Sequence, residues 1–249
     1  MPRRSGVLGC APARLTHLPR GATGSRRLEM TSRTLSVEKA KRFYDSFGAA
    51  QNAQAFYEDD AVSALLERAA LDNAKLVFEF GSGTGRVAER LFRERMGESS
   101  RYRGVDVSET MVALARKRLA PWNERAEVIL TDGSTALPAR DGEADRFIST
   151  FVFDLLSEDA IRSVLMEAHR ILTPGGLLCL ANATPGNGTL GAMVSSALLC
   201  VNRVSPSVLG GCRPITVAPF LNGASWRLVH REVMRSWGIS SEVLIAERV

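Results

Sequence analysis

A glycine-rich loop between an apolar run and a helical pattern constrains this 249-residue chain more than any other stretch. In "VFEFGSGTGRVAERL", residues 77–91, three glycines stand at positions 81, 83 and 85, and Glu79 lies two residues before the first of them. Glycine lets the backbone turn sharply and brings its N–H groups close to a ligand, because no Cβ is in the way. A strand, a glycine loop and a helix in this order occur in dinucleotide-binding enzymes and in other α/β proteins.

The spacing of the glycines does not by itself decide which ligand the loop holds. Counted from Gly81, the dinucleotide pattern G-x-G-x-x-G would need glycine where the chain has Arg86; counted from Gly83, the looser pattern G-x-G-x-x-A is complete at Ala88. Glu79 favours a different ligand, because a carboxylate just before the loop would repel a pyrophosphate and attract an ammonium group. The loop therefore predicts a site for a nucleoside that carries an amino-acid tail.

Helical and strand-like patterns alternate along most of the chain. Two helical patterns, over 36–47 and 61–71, precede the glycine loop, and from Lys75 onward short apolar runs alternate with amphipathic helices. This alternation predicts a parallel sheet that is covered on both faces. The predicted strands are 76–80, 102–107, 126–131, 145–153 and 177–182, with a closing pair at 226–235 and 241–248; the predicted helices between them are 86–96, 108–119 with Ser108 as N-cap, and 157–172, which "LTPGG" ends.

The net charge of +5 is confined to the start of the chain. Residues 1–29 contain six arginines and one glutamate, so the remaining residues balance to zero and give no reason to expect a nucleic-acid or membrane partner. This basic leader, taken as residues 1–30, is expected to be disordered or to act as a mitochondrial or plastid transit peptide. The alternative is a mis-chosen start, since Met30 could begin a complete protein. Cap helices over 31–72 and a core over 73–249 are expected to follow.

Cysteine spacing and hydropathy argue against a metal site and a membrane span. The four cysteines, at positions 10, 179, 200 and 212, include no C-x-x-C pair, so neither a zinc site nor a disulfide framework is expected. The longest apolar stretch, residues 190–201, falls short of the roughly 18 residues that a transmembrane helix needs. The chain is therefore expected to be an intracellular soluble protein, cytoplasmic or, if the leader is a transit peptide, mitochondrial or plastid.

With these motifs the sequence resembles the class I S-adenosylmethionine-dependent methyltransferases of the small-molecule type, with a methyltransferase type 11-like domain. The resemblance covers roughly residues 77–182, and "EFGSGTG" is similar to the family's loop E/D-x-G-x-G-x-G. It implies an α/β fold: a Rossmann-like, doubly wound, mostly parallel seven-stranded sheet with helices on both faces and an N-terminal helical cap. It also implies S-adenosyl-L-methionine as cofactor, with Glu79, Gly81, Ser82, Gly83 and Gly85 around its methionine part.

Two further motifs follow in the order that the family has them. In "GVDVSETM", the resemblance assigns Asp106 to the ribose hydroxyls and Val107 and Met111 to the adenine. A carboxylate at a strand end can accept both hydroxyl protons, although such an acid can also only cap the next helix. In "TDG", the resemblance assigns Asp132, with help from Gly133, to the adenine amino group; the alternative is an ordinary Asp-Gly turn.

The resemblance implies three further parts of the site. Ser149, with Thr150, Phe151 and Phe153, would lie where cofactor meets acceptor, just past the fourth strand. Tyr44, with Gln51 and Tyr57, would belong to a lid, or would only pack within the cap. The stretch "RILTPGGLLCL" is similar to the family's helix–turn–strand signature, in which Pro174 and Gly175 would end the helix and turn the chain.

Methyl transfer from a sulfonium needs orientation more than acid–base groups, so the lack of a catalytic triad does not exclude an enzyme. Asp154 is the polar residue best placed by sequence to act on the acceptor, with helix capping as its alternative role; His169 and His230 are weaker candidates. The insert 183–226 is apolar and poor in charge, which favours a small, lipophilic acceptor over nucleic acid. Two alternatives remain: a nicotinamide-dependent Rossmann oxidoreductase, and a non-catalytic methyltransferase-fold interaction protein. The oligomeric state is not predicted.

Overall fold

A computed structural model describes residues 36–48, 51, 55–186 and 213–249. The leader and residues 187–212 of the insert, with Cys10, Cys200 and Cys212, lie outside the described residues. The described part contains a seven-stranded sheet of order β3-β2-β1-β4-β5-β7-β6. The strands are β1 (Leu76–Phe80), β2 (Arg101–Asp106), β3 (Ala126–Leu130), β4 (Ala144–Thr150), β5 (Leu172–Ala183), β6 (Trp226–Ser236) and β7 (Ile239–Arg248); the helices are α1 (Val37–Phe47), α2 (Ala55–Arg68), α3 (Arg86–Glu94), α4 (Glu109–Arg118) and α5 (Glu158–Ile171).

The predicted doubly wound α/β architecture is confirmed. Strands β1 to β5 pair in parallel, and β7 runs antiparallel to both β5 and β6. In β1, Val77 faces the core formed with α2, α3 and α4, while Phe78 faces the core formed with α5; both side chains are fully buried. This burial on both faces explains why β1 is apolar along most of its length.

Serine caps start three of the helices. The hydroxyls of Ser36, Ser108 and Ser157 accept hydrogen bonds from backbone N–H groups of the first turns of α1, α4 and α5, which confirms the predicted cap at Ser108. Helix α2 begins at Ala55, six residues before the predicted start at 61. The stretch "AFYEDD" is therefore helical, and it carries three acids, Glu58, Asp59 and Asp60, that pattern analysis had left in a connection.

Two predicted strand boundaries are wrong, the end of β4 and the start of β5. Strand β4 ends at Thr150 rather than at 153, because Phe151 takes a left-handed conformation with φ 54° and a 3-10 turn follows at Phe153–Leu155. Helix α5 ends at Ile171, immediately before "LTPGG". That stretch does not turn the chain between two elements but forms an irregularity inside β5, where the pairing with β4 jumps from Leu172 to Leu177.

The closing antiparallel pair, β6 and β7, is confirmed. Each helix among the described residues is too short or too polar to cross a lipid bilayer. Across the same residues, no three side chains of the metal-binding types gather in one place. Cys179 lies fully buried in β5, and burial raises the pKa of its thiol to about 12.

Candidate active site

The carboxyl ends of β1, β2 and β4 surround a cavity. In the order β3-β2-β1-β4-β5, the chain moves outward in one direction from β1 and then returns to the other side at β4. Ligands of open α/β sheets bind at such a switch point, because the loops after the two central strands diverge there and leave a crevice. The glycine loop follows β1 directly and forms one wall of this crevice.

The glycine loop keeps its shape through backbone hydrogen bonds and left-handed residues. The N–H groups of Gly81 and Ser82 both donate to the carbonyl of Val105 at 2.9 Å, which ties the loop to the end of β2. Gly81 has φ 78°, and a Cβ there would lie 2.4 Å from a methyl group of Val152. Both the conformation and the contact therefore require glycine at this position.

Glu79 lies beneath the loop and lines the cavity at 1% exposure. The phenol of Tyr102 donates to its Oε2 at 2.5 Å, and a Cβ at Gly104 would clash with that phenol. Burial raises the pKa of Glu79 to about 8, an increase that the Tyr102 hydrogen bond opposes and the Asp106 carboxylate reinforces. A cation placed against Glu79 would lower this pKa, so the position suits an ammonium group.

Asp106 ends β2 and joins two loops through its carboxylate. Its Oδ2 accepts from the N–H of Gly83 at 2.8 Å, and its Oδ1 accepts from the N–H of Ser108 at 2.9 Å. Burial raises the pKa of Asp106, and these backbone hydrogen bonds oppose the rise. Each carboxylate oxygen can accept more than one hydrogen bond, so the group keeps capacity for a diol on the cavity side.

The cavity has two adjoining lobes that share part of their lining. The apolar lobe, about 1070 Å³ including its mouth, is lined by Val105, Val107, Met111, Thr135 and Leu137 together with Asp106. The polar lobe, about 690 Å³ including its mouth, is lined by Tyr57, Glu58, Glu79, Ser82, Arg86 and Asp154. Tyr44, Gly81, Gly83 and Phe151 line both lobes, so the two lobes lie side by side at the glycine loop.

Four predicted site residues line neither lobe: Gly85, which precedes α3, Phe153, which is fully buried, Ser149 and Asp132. Ser149 is fully buried, and its hydroxyl donates to the carbonyl of Phe80 at 2.8 Å; it therefore holds β4 to β1 and does not reach the cavity. Asp132 is exposed, and its Oδ1 accepts from the N–H of Ser134 at 2.8 Å. This contact is the one expected if Asp132 and Gly133 form an ordinary turn. These hydrogen bonds lower the pKa of Asp132. Its neighbour Gly133 does line the apolar lobe.

Helix α1 covers the apolar lobe. Val37, Ala40 and Tyr44 line it from α1, and Val37 packs so closely on Gly133 that a Cβ there would lie 2.2 Å away. The helix is held at its other end by Asp45, whose Oδ1 accepts from the Ser108 hydroxyl at 2.6 Å. Position 108 thus caps α4 and anchors α1 at once.

Charged side chains from three separate elements meet in the polar lobe. Glu58 of α2 accepts from the Arg86 guanidinium at 3.0 Å, and Arg86 also pairs with Asp59. Burial raises the pKa of Glu58 to about 7; Arg86 opposes this rise and the Asp154 carboxylate reinforces it. Sequence analysis missed Glu58 and Arg86 as site residues. Glu58 lay in the predicted connection before residue 61, and Arg86 was considered only as a position of the dinucleotide pattern.

Asp154 lies in the turn after β4 and lines the polar lobe. It is fully buried, and its Oδ2 faces the N–H of Ala183 at 3.4 Å. The two histidines lie elsewhere: His169 packs edge-on against Trp226 at 5.4 Å, and His230 lies on the edge strand β6, 3.6 Å from Glu232. Neither lines the cavity, and burial lowers the pKa of His169.

Comparison with known proteins agrees with this site. Residues 77–176 match a family model described as a methyltransferase domain. The chain is 30% identical over 105 residues to the ubiquinone/menaquinone biosynthesis C-methyltransferase UbiE of Methylobacterium nodulans, covering 42% of this chain and 40% of that protein. It is 31% identical over 154 residues to malonyl-[acyl-carrier protein] O-methyltransferase 1 of Coxiella burnetii, covering 60% and 46%.

A third relative is named as a tRNA methyltransferase. The tRNA N(3)-methylcytidine methyltransferase Mettl2 of Drosophila melanogaster is 24% identical over 149 residues, which cover 56% of this chain and 46% of that protein. The chain thus spans less than half the length of each of these three relatives. Their acceptors differ widely, so the relatives do not by themselves indicate which acceptor this chain uses.

Solved structures show the same fold at low identity. The [4+2]-cyclase SpnF superposes with a TM-score of 0.66 at 17% identity, over 86% of this chain and 97% of that one. The N-methyltransferase NodS of Bradyrhizobium japonicum, in complex with S-adenosyl-L-homocysteine, superposes with a TM-score of 0.57 at 17% identity, over 77% and 87%. The sequence match, the seven-stranded sheet and the glycine loop together support a class I S-adenosylmethionine-dependent methyltransferase domain over residues 77–176.

Proposed function

We propose that this protein transfers a methyl group from S-adenosyl-L-methionine to a small molecule. The observation that carries the proposal is the placement of two carboxylates, Glu79 and Asp106, on either side of one glycine loop and facing one two-lobed cavity. A nucleoside with an amino-acid tail needs an acceptor for its ribose hydroxyls and a separate one for its ammonium group.

The residues of the two lobes suggest how the cofactor would be held. The ribose would lie at Asp106, with the adenine between Val107, Met111 and the covering residue Val37. The amino-acid end would lie against Glu79, Ser82 and the backbone of Gly83. When bound, the cofactor supplies an activated methyl group on sulfur; the chain's own residues orient it, and α1 excludes water from the apolar lobe.

The acceptor would enter the polar lobe, next to the shared residue Phe151. Aromatic side chains at Phe43, Tyr57 and Phe151 offer apolar contacts there, and Tyr57 packs edge-on against Phe151 at 5.9 Å. These contacts support a small acceptor with an apolar part, and the zero net charge after residue 29 supports a partner other than nucleic acid. In this proposal, residues 31–72 act as the cap and residues 73–249 as the methyltransferase core.

The nicotinamide and non-catalytic alternatives have less support. A buried acid beneath the glycine loop would repel a pyrophosphate. The shared fold does not settle the reaction, since a cyclase has it too, so the activity needs a direct test.

A calorimetric titration with S-adenosyl-L-homocysteine and with NADH tests the proposal. We expect S-adenosyl-L-homocysteine to bind and, at about 100 times its dissociation constant, to stabilise the fold by about 2.7 kcal/mol. NADH should leave the melting temperature unchanged. If the folded protein does not bind S-adenosyl-L-homocysteine at millimolar concentration, the proposed function is wrong. Cofactor binding without methyl transfer to any acceptor would favour the non-catalytic alternative.

A further inference from the structure

We propose that the methyl acceptor is an amine and that Glu58 accepts the proton which its nitrogen must lose before it attacks. This inference rests on the proposed methyltransferase function and names the class of acceptor. It comes from the way in which α2, α3 and the turn after β4 bring their charges together in the polar lobe.

The side chains that line the polar lobe suit a polar, positively charged ligand. Glu58 is 8% exposed and lines the lobe together with Asp154, which is fully buried. The two acids come from different elements, α2 and the turn after β4, and the Arg86 guanidinium at the start of α3 donates to Glu58 at 3.0 Å. The lobe thus gathers charged side chains that a polar ligand can contact.

The charges in the lobe favour a cation after the cofactor has bound. Three carboxylates line it, those of Glu58, Glu79 and Asp154, against one cationic side chain among the described lining residues, Arg86. The cofactor carries one net positive charge, from a sulfonium and an ammonium against a carboxylate. One negative charge therefore remains, which would attract an ammonium acceptor and repel a carboxylate acceptor.

Glu58 is suited to take a proton from such an acceptor. An alkylammonium has no lone pair, so one N–H bond must break first, and the proton passes to the Glu58 carboxylate. The nitrogen lone pair then bonds to the methyl carbon while the electrons of the carbon–sulfur bond stay on sulfur. The products are a methylated ammonium and a neutral thioether, and Glu58 releases its proton to water.

The surroundings of Glu58 agree with this role. Burial raises the pKa of Glu58 to about 7, with Arg86 of α3 lowering it, Asp154 raising it and Tyr57 of its own helix lowering it. A base of this strength is near its working range at neutral pH. It is far too weak to deprotonate an aliphatic alcohol, which is why the lobe suits an amine better than a hydroxyl.

Asp59 provides a matched control. It pairs with the same Arg86 guanidinium as Glu58, but its side chain is 51% exposed and it does not line the lobe. Glu58→Gln and Asp59→Asn each remove one acidic partner of Arg86, and only the first removes an acid from the polar lobe. A difference between the two variants therefore reports on the lobe and not on the attachment of α2 to α3.

The experiment incubates the full chain with S-adenosyl-L-methionine that carries a deuterated methyl group and with the small-molecule fraction of a cell extract. Mass spectrometry and NMR then identify the labelled products. We expect the label on nitrogen, a transfer rate about 100-fold lower in Glu58→Gln, and a rate within threefold of wild type in Asp59→Asn. The wild-type rate should fall below about pH 7, whereas in Glu58→Gln the fall should begin at higher pH, because the rate then follows the free-amine form of the acceptor.

Three results would overturn the inference: label on oxygen or carbon, an unchanged rate in Glu58→Gln, or equal losses in the two variants. A thermal shift with S-adenosyl-L-homocysteine separates this failure from that of the proposed function. If the ligand stabilises all three proteins, cofactor binding stands and only the amine assignment is lost. If it stabilises none of them, the methyltransferase proposal itself fails.

Discussion

The apolar lobe is formed mainly by segments at the ends of the neighbouring strands β1, β2 and β3. The polar lobe adds to Glu79 of β1 the charged side chains of α2, α3 and the turn after β4. In the apolar lobe, the Asp106 carboxylate accepts hydrogen bonds from backbone N–H groups of the two adjoining loops. In the polar lobe, the Arg86 guanidinium forms ion pairs with side chains of the cap. The comparison suggests that changes to the loop and strand ends weaken cofactor binding, while changes to the cap and α3 act on the acceptor step.

The largest expected effect follows from Gly81→Ala. The new Cβ would have to occupy a left-handed conformation at φ 78° and would lie 2.4 Å from Val152. We expect at least about a 100-fold loss of affinity for S-adenosyl-L-homocysteine by titration, and a loss of stability of about 1–3 kcal/mol. Gly142→Ala is the control, because it has φ 60° but open space around its Cβ and lies away from the cavity. Equal affinities in the two variants would contradict the role of the loop.

The next largest effect is expected for Asp106→Asn. The amide keeps the size but loses the charge, so it cannot accept from Gly83, Ser108 and a ribose diol together. We expect a roughly tenfold to hundredfold weaker cofactor affinity, which corresponds to about 1.5–3 kcal/mol for a hydrogen bond to a charged group. Asp132→Asn should change the affinity less than about twofold, because Asp132 lies outside the cavity. A comparable loss in Asp132→Asn would restore its predicted contact with adenine.

A third prediction concerns pH. The folded-state pKa of Glu79 is raised from 4.5 to about 8, so between these values the folded protein binds more protons than the unfolded chain. The melting temperature of the unliganded protein should therefore fall as the pH rises from about 5 to 8, with Glu58 contributing in the same direction up to about pH 7.

Two further measurements sharpen this pH prediction. Tyr102→Phe removes the hydrogen bond that lowers the pKa of Glu79, so the fall should extend to higher pH. Glu79→Gln should flatten the curve, and S-adenosyl-L-homocysteine should do so in the wild type because its ammonium group lowers the pKa of Glu79. A curve that is flat in the wild type without ligand would show that Glu79 does not titrate in this range.

The smallest effect is expected where α1 rests on α4. Asp45→Ala removes the acceptor for the Ser108 hydroxyl and for Lys41, at a partly exposed position. We expect S-adenosyl-L-homocysteine to dissociate about two- to fivefold faster in stopped-flow measurements, since partly exposed pairs contribute little. Glu109→Gln removes only the exposed partner of Lys41 and should have a smaller effect. If Glu109→Gln accelerates release as much as Asp45→Ala, the anchor is the ion pair and not the Ser108 contact.

The sequence by itself determined the α/β alternation, the cap at Ser108 and the positions of Glu79 and Asp106 at the ends of two neighbouring strands. These follow from local patterns, because an apolar run makes a buried strand and parallel strands end at the same edge of the sheet. The glycine loop is also a feature that local sequence encodes, because its conformation depends on residues within one turn of chain.

Only the tertiary structure decided which side chains reach the cavity. Ser149 and Asp132 stand at the positions that the family motif indicates, but neither reaches the cavity. The Ser149 hydroxyl donates to the carbonyl of Phe80, and the Asp132 carboxylate accepts from the N–H of Ser134. Glu58 and Asp154, far apart in the chain, come together because α2 packs beside the end of β4. Local patterns encode contacts within a helix turn or between paired strands, whereas a cavity wall depends on how distant elements pack, and that information is not present in any single segment.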